Sequence, residues 1–123
     1  MTAVQEGTAS VGIAVCRLSD LHVERGAAVI VDGRQVALFR LHDDTVRALS
    51  NRDPFSGAMV LSRGIVGDRR GRAVVVAPVY KQAFDLESGR CLDDLTVAVP
   101  TYETAVVDGV VHVTRRVLLS VRG

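Results

Sequence analysis

The chain has 123 residues, enough for one domain around one core, since domains most often hold roughly 100–150 residues. Hydrophobic residues make up 48% and charged residues 24%, which excludes a disordered chain and fits a globular one. With 15 basic and 14 acidic residues the net charge is +1, so no overall field draws the protein toward nucleic acid or an anionic membrane.

In chain order, residues 1–10 read as a loose head. The head contains Glu6 and no basic start before its short apolar stretch, and no run approaches the ~18 apolar residues of a membrane span. A cytoplasmic protein is expected, and with it free thiols at Cys16 and Cys91, both small and buried. From Val11 onward, short runs of Val, Ile, Leu and Ala are broken by turn residues roughly every 8–12 positions, the pattern of an all-β sandwich or small barrel. Ser19-Asp20-Leu21 opens at most a short helical turn, closed by Gly26.

Two hairpins are expected around Asp32-Gly33 and Asp108-Gly109, because Asp-Gly tolerates the positive φ angles of a tight turn. Their strands run over 27–31 and 35–41, and over 104–107 and 110–114. A turn at His42-Asp43-Asp44 leads into Val46 to Ser50, and another over Gly67 to Gly71 leads into Ala73 to Ala77. That last run is apolar on both alternating faces and predicts a central strand with both sides covered. The domain is expected over residues 11–114. Beyond it an apolar-basic tail, residues 115–123, is expected to pack Val117, Leu118 and Leu119 on the domain or a partner.

The parts of a self-sufficient catalyst are missing. His22, His42 and His112 stand in no ligand spacing, and neither cysteine has a second Cys or a His two to four positions away. His112, inside an apolar strand, reads as a structural histidine. There is no GxxxxGK[ST], no GxGxxG between strand and helix, and no aromatic platform for single-stranded nucleic acid, since aromatics are 4% of the chain. Arg63, Arg69, Arg70 and Arg72 cluster, but Asp68 interrupts them and Gly67 and Gly71 mark a solvated loop.

Two loops stand out by their order. One is Asn51-Arg52-Asp53-Pro54-Phe55; the other is Ala77-Pro78-Val79-Tyr80-Lys81-Gln82-Ala83-Phe84-Asp85, followed by Glu87-Ser88-Gly89. Here the sequence resembles the Rieske-type domain. In that family a C-x-H loop and a C-P-x-H loop, the second leading to F-D-x-x-x-G, hold a [2Fe–2S] cluster through two thiolates and two imidazoles. Pro78, Phe84, Asp85 and Gly89 match the second frame. The four ligand positions are Asn51, Asp53, Ala77 and Tyr80, a set that cannot hold the cluster, because Ala has no donor and Asn is a poor one. The resemblance implies a Rieske-like antiparallel sandwich or small barrel built from hairpins, with no cofactor of its own. Tyr80 is expected to pack its ring into the vacated space with its hydroxyl hydrogen-bonded, the alternative being that it points into solvent.

A Rieske-like chain with emptied loops is similar to the small subunit of the cytoplasmic NAD(P)H-dependent assimilatory nitrite reductase. Carrying the resemblance are Leu18-Ser19-Asp20-Leu21, Val31-Asp32-Gly33-Arg34, Asn51-x-Asp53-Pro54-Phe55, Val60-Leu61-Ser62-Arg63-Gly64, Pro78 to Phe84, and Gly89-x-Cys91-Leu92-x-Asp94. It implies a non-catalytic accessory subunit. A large partner subunit would bind FAD, NAD(P)H, a [4Fe–4S] cluster and sirohaem and reduce nitrite to ammonium.

Electrons leave a cluster-bearing Rieske domain at its ligand loops, so the resemblance places the partner there, around Arg52, Asp53, Pro54, Phe55, Pro78 and Lys81. Phe55 is expected as an anchor in the partner or as part of this chain's own core. Two other readings share the fold: a Rieske ferredoxin, which needs the cluster, and a stand-alone β-sandwich binding module.

Overall fold

A computed structural model describes residues 12–118, with side chains as far as Thr114. The nine strands among them are β1 (Ile13–Arg17), β2 (Gly26–Val31), β3 (Arg34–Arg40), β4 (Val46–Ser50), β5 (Ile65–Arg69), β6 (Arg72–Val76), β7 (Ala83–Asp85), β8 (Thr101–Val107) and β9 (Val110–Leu118). Helix is confined, among the described residues, to the 3₁₀ turns Leu18–Asp20 and Leu61–Arg63. None is long or apolar enough to cross a membrane.

The expected hairpins form for the expected reason. Asp32-Gly33 takes φ 51° and 79°, and Asp108-Gly109 takes 52° and 77°, the paired positive angles of a two-residue turn that matches strand twist. Arg70-Gly71 does the same between β5 and β6 at 55° and 82°. That turn is tighter than expected: Gly67 is not part of it but sits inside β5 opposite Val74.

Six strands form one antiparallel sheet in the order β1-β9-β8-β4-β3-β2, curled into a near-barrel, and β5-β6-β7 form a second antiparallel sheet. Period-two alternation divides the core. From β3 and β4, Val36, Leu38, Val46 and Ala48 point into a cluster with Tyr102, Val111 and Val113. On the opposite face, Ala37, Phe39 and Leu49 pack with Leu61, Val75, Ala77, Phe84 and Cys91. That second cluster joins the two sheets and lies directly beneath the two loops. β6 is the middle strand of its sheet, with Val74 and Val75 both buried, as its two apolar faces predict.

The chain departs from expectation at its end. β9 does not stop at Thr114 but continues to Leu118, where Val117 pairs with Tyr102 and Leu118 with Thr101. An irregularity between Val113 and Val117 shifts the register, which breaks the apolar alternation and makes the strand look finished in the sequence. The expected loose head, residues 1–10, and the tail beyond Leu118 lie outside the described residues. The arginine cluster is partly structural: Arg69 bonds Asp93 at 3.3 Å and Arg72 bonds Asp85 at 2.6 Å, while Arg63 and Arg70 are exposed.

Candidate functional site

The first loop leaves β4 and returns to the Leu61–Arg63 turn. Asn51 is 2% exposed and spends its whole amide inside the protein. Its Nδ2 donates to Gln35 Oε1 at 3.0 Å and to the Met59 carbonyl at 3.2 Å, while its Oδ1 accepts from the Ser62 amide at 2.7 Å. Asp53 is fully buried. Its two carboxylate oxygens accept from the Phe55 amide at 2.9 Å and the Ser56 hydroxyl at 3.0 Å, and its backbone closes the turn with Ala58 and Gly57. Both residues at ligand positions therefore act as internal braces, satisfying polar groups that burial would otherwise strand.

The second loop runs from β6 to β7. Ala77 is buried, and the Lys81 amide donates to the Ala77 carbonyl at 3.0 Å, closing a five-residue turn with Lys81 at φ 58°. Asp93 pins the far side, its Oδ2 accepting from the Ala83 amide at 2.7 Å. That backbone hydrogen bond, with Arg69 beside it, holds the Asp93 carboxyl below its usual range. Asp85 anchors the following turn through the Arg72 guanidinium and the amides of Glu87 and Ser88. Burial pushes its carboxyl up, but those hydrogen bonds together hold it below its ordinary value. The loops meet in the shared core, where the Phe55 ring lies 6.2 Å from Phe84 at 46° and Ala77 packs in the same cluster.

The donor set does not fit a [2Fe–2S] cluster. Ala77 offers no ligand atom, Asn51 and Asp53 are committed to hydrogen bonds within the protein, and Tyr80 is 59% exposed. Contrary to expectation, Tyr80 faces solvent and does not fill the vacated space; the tight Ala77–Lys81 turn holds Ala77 inward and leaves Tyr80 outside. Replacing Tyr80 with alanine is expected to change stability by less than about 0.5 kcal/mol in urea unfolding, as exposed substitutions do, and not by the several kcal/mol of an emptied aromatic cavity.

Phe55 is half-buried against this chain's own core, so part of its surface is not available to a partner. Arg52, Pro78 and Lys81 are exposed, and Pro54 is half-buried. The partners Gln35, Ser62 and Asp93 carry no site signal in the sequence. Gln35 belongs to a distant strand and leaves no local pattern; Ser62 lies in the Val60 to Gly64 segment but bonds through its backbone, which residue type does not signal, and Asp93 lies within the Gly89 to Asp94 segment. Among the described residues, no three of His, Cys, Asp and Glu gather in a metal-ligand arrangement. His112 Nδ1 stays within its own strand, 3.2 Å from the Val110 carbonyl. Cys16 and Cys91 are both free; Cys91 is buried, and Cys16 is half-exposed, its thiol pushed up by burial and by Asp20.

Residues 13–114 match the Rieske-like [2Fe–2S] domain family. The chain is 41% identical over 99 residues to the nitrite reductase (NADH) small subunit of Escherichia coli K12, covering 80% of this chain and 92% of that one. A crystal structure from Mycobacterium tuberculosis, assigned as an NADH-dependent nitrite reductase small subunit, is 50% identical with a TM-score of 0.82, covering 90% of this chain and 97% of that chain. The nitrite reductase [NAD(P)H] large subunit of Klebsiella oxytoca contains a segment 40% identical over 107 residues, which takes in 87% of this chain and 11% of that much longer one.

Proposed function

This chain belongs to the nitrite reductase small subunits of the Rieske-like domain family, and on that premise we propose that it is the non-catalytic accessory subunit of a cytoplasmic NAD(P)H nitrite reductase. The enzyme reduces nitrite to ammonium, and its redox groups, FAD, a [4Fe–4S] cluster and sirohaem, reside on the large subunit. This chain contributes a rigid scaffold and a binding surface.

One observation carries the reading: in Klebsiella oxytoca a domain like this one is built into the large subunit itself. A covalent tether holds such a domain at high effective concentration next to its neighbour. A separate chain performs the same service only by binding the large subunit with an affinity of its own. The loops support this division of labour, since their ligand positions brace the scaffold and leave no donor set for electron transfer.

The test mixes purified chain with its cognate large subunit, resolves the mixture by size exclusion, and assays each peak for nitrite-dependent NAD(P)H oxidation. The two chains are expected to co-elute, with activity in the complex and none in the small chain alone. Separate elution, or turnover by the small chain alone, would overturn the reading.

A further inference from the structure

We propose that the two loops, through the exposed side chains of Arg52, Met59, Pro78, Val79, Tyr80 and Lys81, form the surface that docks on the large subunit of nitrite reductase, against an apolar patch with acidic groups at its rim. The inference rests on the reading of this chain as that enzyme's small subunit. It differs in composition from the patch expected from the sequence, because Asp53 is buried and Phe55 is largely engaged with Phe84. In their place stand Met59, Val79 and Tyr80, which are 46%, 49% and 59% exposed.

Three independent features converge there. Of the five aromatic residues in the chain, Tyr80 is the one left exposed; Phe39 and Phe84 are fully buried, Tyr102 is buried and Phe55 is half-buried. A solvent-facing tyrosine that follows the exposed Pro78 and Val79 is the composition of an interface centre, where aromatic side chains enter desolvated pockets. The cations beside it are unspent. Arg40, Arg69 and Arg72 are paired with Asp44, Asp93 and Asp85, whereas Arg52 and Lys81, like the exposed Arg63 and Arg70, make no ion pair among the described residues. That excess of positive charge calls for acidic groups on the partner's rim.

The third feature is Lys81 itself, the only lysine in the chain, held at φ 58°. Glycine would adopt that conformation without strain. Lysine there keeps a long cationic side chain at the tip at some cost to the fold, the pattern expected where a strained position serves binding. The loops beneath are pre-organised. Arg52 and Met59 are bridged across the base of the first loop, Asn51 and Asp53 fasten it from inside, and the second closes through Lys81 and Ala77. Little ordering remains to be done on binding.

Titration calorimetry of the purified chain against the cognate large subunit, loaded with its redox groups, tests the surface. Tyr80→Ala is expected to weaken binding about tenfold or more, as loss of an interface anchor does. The double variant Arg52→Glu with Lys81→Glu is expected to do the same and to flatten the salt dependence. Lys81→Gly should melt higher than wild type yet bind more weakly, which misfolding cannot imitate. Ile30→Ala, exposed on β2, serves as the control and should bind as wild type. Binding within twofold of wild type for both the tyrosine and the double variant would overturn the inference, as would a change confined to self-association of this chain in sedimentation. Failure of the wild-type chain to bind would instead defeat the functional reading beneath it.

Discussion

Gly89→Ala is expected to destabilise the protein by about 3 kcal/mol or more, which is a large part of the roughly 5–15 kcal/mol that holds a domain together. Gly89 ends the turn that Asp85 anchors, at φ +78°, where a side chain costs roughly 1–2 kcal/mol by itself. A Cβ there would also collide with the Val99 carbonyl and lie 2.9 Å from the Thr101 methyl. The collision is with backbone that cannot swing aside, because the Val99 amide donates to the Gly89 carbonyl at 2.9 Å, and overpacking of this kind adds about 1–3 kcal/mol. Gly33→Ala separates the two causes: φ is +79° but nothing lies within 4 Å, so only the conformational part remains. Urea unfolding of both variants measures the difference; equal losses would show that the contact with Val99 has no energetic weight.

Asn51→Ala is expected to cost about 3 kcal/mol, since buried polar groups left unpaired cost roughly 1–3 kcal/mol each and this change strands the Ser62 amide and the Met59 carbonyl. Asn51→Asp keeps the shape but aims a carboxylate at the Met59 carbonyl and at Gln35 Oε1, both acceptors. A charge so placed is favoured in its protonated form, so the folded variant binds protons more readily than its unfolded chain. Its penalty should therefore be full at pH 7 and shrink as the pH falls toward about 4, where carboxylates ordinarily titrate. Stability curves for this variant and wild type between those limits check the sign; a penalty that grows on acidification would mean that the Asn51 amide is not the donor the structure shows.

Much of the fold is legible in the sequence because its signals are local. Asp32-Gly33 and Asp108-Gly109 state their turn type in two residues, and the run from Ala73 to Ala77 announces a covered strand. The end of β9 was not legible, since a register shift between Val113 and Val117 erases the period on which strand reading depends. At the candidate site, the motif frame located the four ligand positions but not where their side chains go. Asn51 points inward because Gln35, sixteen positions away, meets it; Tyr80 points outward because a hydrogen bond from Lys81 to Ala77 tightens the turn below it. Both outcomes depend on tertiary contacts that no spacing records. Phe55, open between anchor and core in the sequence, is drawn toward Phe84 in a chain with few aromatics to fill its interior.

On the proposed function, a Rieske-like scaffold, its loops braced by protein contacts in place of a cluster, serves nitrite reductase as a bound accessory chain. Native mass spectrometry of the tagged chain, recovered from cells that also express the cognate large subunit, tests both halves together. The expected result is a complex of the two chains which, on dissociation in the instrument, releases this chain at 13.2 kDa plus the tag, with no mass added by iron or sulfide. A chain recovered alone, or one released carrying an iron–sulfur cluster, would contradict it.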